Sequence, residues 1–131
     1  MQDNFIITLE NLKLKDYRSL LKSMKKAYAG WDDLWEVEHI KTLIDKFPEG
    51  QLCVLVNGQV AGCALSIIVD YSDFGDNHTY AQITGNESFN THNEDGDVLY
   101  GIDVFVHPDF RGMRVGRRMY DARKDLVEQL N

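Results

Sequence analysis

Residues 98–130 constrain the fold most, because a strand signal, a loop signal and a helix signal follow one another there without a gap. Val98 to Val106 is mostly apolar, with Gly101 and Asp103 as exceptions, and predicts a central strand covered on both faces. His107-Pro108-Asp109-Phe110-Arg111-Gly112 then reads as a short loop. Val115, Met119, Ala122, Leu126 and Leu130 recur at three- and four-residue spacing, which is one face of a closing helix. Its other face carries Arg117, Arg118, Asp121, Lys124, Asp125 and Glu128, where Arg117–Asp121 and Lys124–Glu128 are favourable pairs and Asp121–Asp125 is not.

The rest of the chain reads as elements that could cover such a strand. Phe5 to Leu9 is a β-prone run. Asp16 reads as an N-cap, followed by Tyr17, Leu20, Leu21, Met24 and Tyr28 at helical spacing, with Gly30 closing the helix. A second helix is expected from Asp33, with Glu36 completing a capping box and Pro48 ending it. Leu52–Val56 and Val60–Val69 flank Asn57-Gly58, a hairpin signal because a type I′ turn needs positive φ twice. That register sets Cys53 opposite Gly62 and turns Cys63 to the other face, so the two cysteines read as separate buried thiols. Residues 70–97 are polar and acidic without a clear period. They are either a binding loop or a solvated excursion with a short strand around Tyr80 to Thr84.

At 131 residues the chain fits one domain, 1–131, of α/β (α+β) class with element order β-α-α-β-β-β-α. Two cysteines and four scattered histidines give neither a disulfide framework nor metal-ligand spacing. No apolar stretch is long enough to span a bilayer, and Asp3 stands where a signal peptide would be basic, so a cytoplasmic location without membrane contact is expected. The net charge is −7, and its distribution is uneven. Residues 70–103 hold eight acids and no Lys or Arg, whereas residues 104–131 hold six basic and four acidic side chains. Nucleic acid is excluded as the main partner, since neutralising its phosphates takes a broad basic face. A small phosphorylated ligand needs only a local anion site.

The loop after Val106 is built for that task. Amides at a helix N-terminus lack acceptors and sit at the positive end of the helix dipole. Gly112 and Gly116 allow close backbone approach, and Arg111, Arg114, Arg117 and Arg118 add four cations with no acid among them. The spacing matches neither a P-loop nor a dinucleotide fingerprint.

The stretch VFVHPDFRGMRVGRRMY resembles the signature of the GNAT superfamily of N-acetyltransferases, in which the loop reads Q/R-x-x-G-x-G/A. The resemblance implies a mixed sheet with helices on both faces. It implies that the backbone of Val104, Phe105 and Val106 binds the pantetheine arm of acetyl-CoA. It assigns the diphosphate to Arg111, Gly112, Met113, Arg114, Val115, Gly116 and Arg117. The activity implied is direct acetyl transfer to a small or peptide amine in a ternary complex. Two departures stand out: Arg114 occupies the position of the first motif glycine, and the family's fold continues with further strands where this sequence stops at Asn131. The domain is therefore expected to be incomplete at its C-terminus, its open strand covered by a missing segment or a homodimer partner. The run from His107 to Asn131 also resembles acetyltransferase domains fused ahead of a carbon–nitrogen hydrolase domain. That resemblance opens a second reading, a non-catalytic acyl-CoA-binding or regulatory module of a larger enzyme.

The family's usual base is a glutamate, and the strand has none. Asp103 is the nearest substitute, either as a base or as a carboxylate in a salt bridge to a neighbouring helix. Tyr100 and His107 are second-line candidates, with His107 read as a loop residue. Trp31 and Trp35 could shape an acceptor pocket, but packing is the simpler reading. The acidic segment 70–103 would attract a cationic amine if it lined the site.

Overall fold

A computed structural model describes residues 5–130; Asp3 and Asn131 lie outside them. Four strands, β1 (Ile7–Asn11), β2 (Leu52–Val56), β3 (Gln59–Val69) and β4 (Val98–Val106), form one sheet in the order β1-β2-β3-β4. All three pairings are antiparallel. The helices are α1 (Tyr17–Ala27), α2 (Val37–Lys46), a single turn α3 (Tyr80–Thr84) and α4 (Val115–Leu130). The order matches the expectation, with α3 added between β3 and β4.

Helices cover both faces of the sheet. On one face Leu20 and Met24 of α1 and Ile40 and Leu43 of α2 pack on Cys63, Leu65, Ile67 and Phe105. On the other, Val115 and Met119 of α4 pack on Val54, Ala61 and Ala64, while Leu126 meets Phe47 and Ile68. Of the predicted apolar stripe of α4, Val115, Met119 and Leu126 are buried, Ala122 is half-buried and Leu130 is exposed.

Asn57 and Gly58 turn the β2–β3 hairpin with φ of 50° and 82°, the pair of positive angles that a type I′ turn requires. The register departs from the simple count. Val56 faces Gln59 and Leu55 faces Val60, but Ala61 bulges out, so Val54 faces Gly62 and Cys53 faces Cys63. The two cysteines are thus direct cross-strand partners, correcting the expected Cys53–Gly62 pairing. Both thiols are free and buried, and burial pushes Cys53 up to about 12 and Cys63 well above its ordinary value.

Three further elements differ from their sequence signals. β1 begins at Ile7 rather than Phe5. α2 begins at Val37, four residues after Asp33, with Glu36 N–H donating to His39 Nδ1 at 3.0 Å. The segment ahead of it is tied to α1, where Tyr17 donates its hydroxyl to the Trp35 carbonyl, 2.8 Å away. Tyr80–Thr84 is a helical turn and not a strand. Gln82 N–H donates to Thr79 Oγ1 at 3.1 Å and Thr79 N–H donates to Gln82 Oε1 at 2.8 Å, a reciprocal cap that favours the helix. β4 has the predicted bounds, but among the described residues it pairs with β3 alone and lies at the edge.

Gly62 sits where β3 passes under α4. A Cβ there would lie 2.5 Å from Val115 Cγ1 and 3.0 Å from the Phe105 carbonyl oxygen. Gly62→Ala is therefore expected to lower stability by about 1–3 kcal/mol, read as a reduced midpoint in urea unfolding with an unchanged slope.

Candidate functional site

The site is organised by β4. His107 N–H donates to the Ala61 carbonyl at 2.8 Å, so alternate residues of an antiparallel strand, here Val104 and Val106, turn their backbone groups to the outer edge. Tyr28 OH lies 3.5 Å from the Val104 carbonyl and Tyr80 OH 3.5 Å from the Ile102 carbonyl, as that alternation requires. Phe105 lies between them with its backbone toward β3 and its ring packed edge-on against Tyr28, centroids 5.7 Å apart.

The strand is not regular. Leu65 faces Asp103 but Ser66 faces Gly101, which leaves Ile102 as an inserted residue. Ile102 and Asp103 are consecutive, yet both line one cavity of about 320 Å3. The Leu65 carbonyl at the bulge accepts from Arg123 Nη2 of α4 at 2.7 Å. Gly101 makes room for that guanidinium, since a Cβ there would lie 3.0 Å from Arg123 Nη1.

The cavity is aromatic and acidic. Tyr28, Trp31, Trp35, Tyr80 and His39 line it together with Asp33, Glu87 and Asp103, and no Lys or Arg does. Asp103 accepts from Tyr28 OH at 2.5 Å and from Trp35 Nε1 at 2.9 Å, one bond on each carboxylate oxygen. Burial, then this hydrogen bond, then the Asp103 charge hold the Tyr28 phenol well above its ordinary value. Burial and the nearby Glu87 and Asp103 charges raise Tyr80 as well. Both hydroxyls therefore stay protonated donors at neutral pH.

Beyond β4 the chain makes a 3-10 turn, Pro108–Phe110, and enters α4. The first helical bond runs from Arg118 N–H to the Arg114 carbonyl, 2.9 Å. The amides of Val115, Gly116 and Arg117 precede it and donate to no acceptor within the described residues. Gly112 has φ of 88° and Arg114 has φ of 60°. Arg111, Arg114, Arg117 and Arg118 are all exposed, but two are engaged. Arg117 pairs with Asp121 at 3.2 Å, and Arg118 Nε donates to the Met113 carbonyl at 3.4 Å. The other expected pair, Lys124–Glu128, is not formed.

The family model described as Acetyltransferase (GNAT) family matches residues 14–131. The chain belongs to the GNAT family of acetyltransferases. It is 36% identical over 125 residues to "Probable hydrolase YhcX" of Bacillus subtilis (strain 168), covering 95% of this chain and 24% of that protein. It is 29% identical over 124 residues to "Uncharacterized N-acetyltransferase YkwB" of the same organism, covering 92% and 55%. The chain thus spans about a quarter of the first relative and about half of the second. The loading GNATL domain of CurA from Lyngbya majuscula superposes with a TM-score of 0.71 at 23% identity, covering 88% of this chain and 55% of that one. A GphF GNAT-like decarboxylase in complex with isobutyryl-CoA gives 0.67 at 14% identity, covering 87% and 55%. At these identities the two structures show a shared fold.

Within this GNAT chain, the loop's backbone gives the family glycine at the Arg114 position a physical reason, because φ there is left-handed. Asp103 does not form the expected salt bridge; a tyrosine and a tryptophan hold it instead. Trp31 and Trp35 both line the cavity, and Trp35 also packs on the core, with its ring 5.9 Å from that of Phe89. Tyr100 is outside the cavity wall, edge-on to His78 at 5.7 Å. His107 is buried, and its Nδ1 accepts from Asp109 N–H at 3.0 Å, as befits a loop residue. Tyr28, Tyr80, His39 and Glu87 were not legible as site residues. One usable signal was the carboxylate in an apolar strand, which needs donors nearby. Among the described residues no helix is long and apolar enough to cross a membrane, and no cluster of His, Cys, Asp and Glu could hold a metal.

A non-glycine residue in the left-handed region is disfavoured by about 1–2 kcal/mol, offset in part by the larger unfolded-state freedom of glycine. Arg114→Gly is accordingly expected to stabilise the fold by up to about 1 kcal/mol, seen as a higher urea midpoint.

Proposed function

We propose that this domain transfers the acetyl group of acetyl-CoA to a primary amine. The observation that carries the reading is that one strand, β4, joins three features. Its outer edge turns the backbone of Val104 and Val106 away from the sheet, its end leads to the free amides of Val115–Arg117, and its bulge turns Asp103 into the acidic cavity. In this reading the amides of Gly112, Arg114 and Val115–Arg117 bind the diphosphate, with Arg111 and Arg114 supplying charge, while Met113 N–H is taken by the Phe110 carbonyl at 3.3 Å. The Val104–Val106 edge binds the pantetheine arm by strand-like hydrogen bonds. A cytosolic setting suits the two free thiols.

The reaction is a direct displacement. The amine nitrogen attacks the thioester carbonyl carbon, a C–N bond forms, the C–S bond breaks, and the thiolate takes up a proton. The ammonium must first lose a proton, for which Asp103 is the carboxylate nearest the bulge. Outward backbone N–H groups at the bulge would stabilise the developing oxyanion.

The second reading is an acyl-CoA-binding module that regulates a larger enzyme. It is supported by the hydrogen bonds that occupy both oxygens of Asp103, and by a relative named as a hydrolase of which this chain spans 24%.

Calorimetric titration with acetyl-CoA, followed by an amine-acetylation assay, tests both. Saturable binding weakened about tenfold or more by Arg114→Glu is expected, the size of one charge-assisted contact turned repulsive. Acetylation that falls in Asp103→Asn without a change in acetyl-CoA affinity supports transfer. Binding without acetylation of any amine supports the module, and absence of binding overturns both.

A further inference from the structure

A second cavity, of about 260 Å3, lies beside the N-terminal half of α1. Arg18, Ser19, Lys22 and Ser23 of that helix line it with Gln59 and Val60 of β3 and with His107, just after β4. No Asp or Glu does. α1 and α4 pack on opposite faces of the sheet. The cavity shares no lining residue with the acidic one and none with the loop assigned to the diphosphate.

Its floor is built around an orphaned hydroxyl. Ser23 and Val60 are each 1% exposed, and Ser23 Oγ is buried with no hydrogen-bond partner among the described residues. A buried group left unpaired costs stability, and alanine would suit the helix better. Ser19, one turn earlier, accepts the Val60 N–H at 2.8 Å, which leaves its own hydroxyl proton to donate. His107 Nδ1 accepts from Asp109 N–H at 3.0 Å, so the neutral ring carries its proton on Nε2. Arg18 and Lys22 are exposed and stand at i and i+4, where like charges repel. Neither has an ion-pair partner among the described residues. Three neutral donors and two cations thus line one cavity that contains no carboxylate.

An oxyanion answers both features. A phosphate monoester carries a charge of about −1.5 to −2 at neutral pH and three strong acceptor oxygens. Its charge would offset the Arg18–Lys22 repulsion, and its oxygens would take the hydroxyl protons that have no acceptor. A carboxylate brings one charge and two oxygens, fewer than the donors present. We infer that this cavity is a phosphate-monoester site, with Arg18 and Lys22 supplying charge and Ser19, Ser23 and His107 Nε2 supplying hydrogen bonds. His107 also opens the loop that holds the diphosphate in the reading above. The monoester is therefore either the 3′-phosphate of the same coenzyme or a separate phosphorylated small molecule.

Titration of the chain with inorganic phosphate, followed by amide resonances, tests the site without any coenzyme. Saturable shifts at Ser19, Lys22, Ser23 and His107 are expected at about millimolar phosphate, whereas chloride at the same ionic strength gives none. Replacing both cations, Arg18→Gln with Lys22→Gln, should weaken binding about tenfold or more. Ser23→Ala should weaken it about threefold or more while the urea midpoint stays at or above that of the parent, which separates recognition from folding. Phosphate displaced by acetyl-CoA but not by its 3′-dephospho form assigns the site to the coenzyme. Phosphate that stays bound beside acetyl-CoA assigns it to a separate ligand. Displacement by both forms puts the phosphate on the diphosphate loop and overturns the inference. Shifts that do not saturate, or an affinity that none of these substitutions changes, overturn it as well.

Discussion

The contact on which the site depends is the one between Arg123 and the Leu65 carbonyl. Ile102 is inserted into β4 between the residues facing Leu65 and Ser66, where the register of the ladder shifts. A guanidinium reaching from α4 past Gly101 supplies the donor, 2.7 Å away. A hydrogen bond from a charged donor is worth about 1.5–3 kcal/mol, so the contact ties α4 to the strand pair at the bulge. Burial lowers the Arg123 pKa, and the Asp103 charge opposes that shift, so the cation and the cavity carboxylate act on one another across the strand. Through the bulge, Ile102 and Asp103 both face the cavity, while Val104 keeps an exposed edge.

The two ends of this arrangement carry opposite charge. Arg111 and Arg114 stand with the free amides at the start of α4, and Asp33, Glu87 and Asp103 line the cavity on the α1 face. In the proposed reading an overall acidic protein holds a phosphorylated ligand because the basic charge is local. Within the acidic segment 70–103, Glu87 and Asp103 line the cavity.

Strong, local signals were legible. The Asn57-Gly58 turn, the β4 bounds, the α4 stripe and the loop after Val106 follow from turn chemistry and periodicity, and the family signature lies in that same stretch. What escaped depends on one-residue insertions and long-range partners. The bulge at Ala61 turned an expected Cys53–Gly62 pairing into Cys53–Cys63, and nothing in the composition of β3 marks it. The Thr79–Gln82 cap was present in the sequence but outweighed by the β-prone residues after it. Tyr28 read as one more residue of the α1 stripe, and its hydroxyl contact with Asp103 spans 75 positions that periodicity cannot see.

The most direct test of β4 as the organiser is acetyl-CoA titration followed by amide resonances in a nitrogen-15 correlation spectrum. The account predicts progressive shifts at Val104, Val106 and Val115–Arg117, with Phe105, whose N–H faces β3, moving less. Shifts confined to other surfaces, or none at saturating coenzyme, would contradict it.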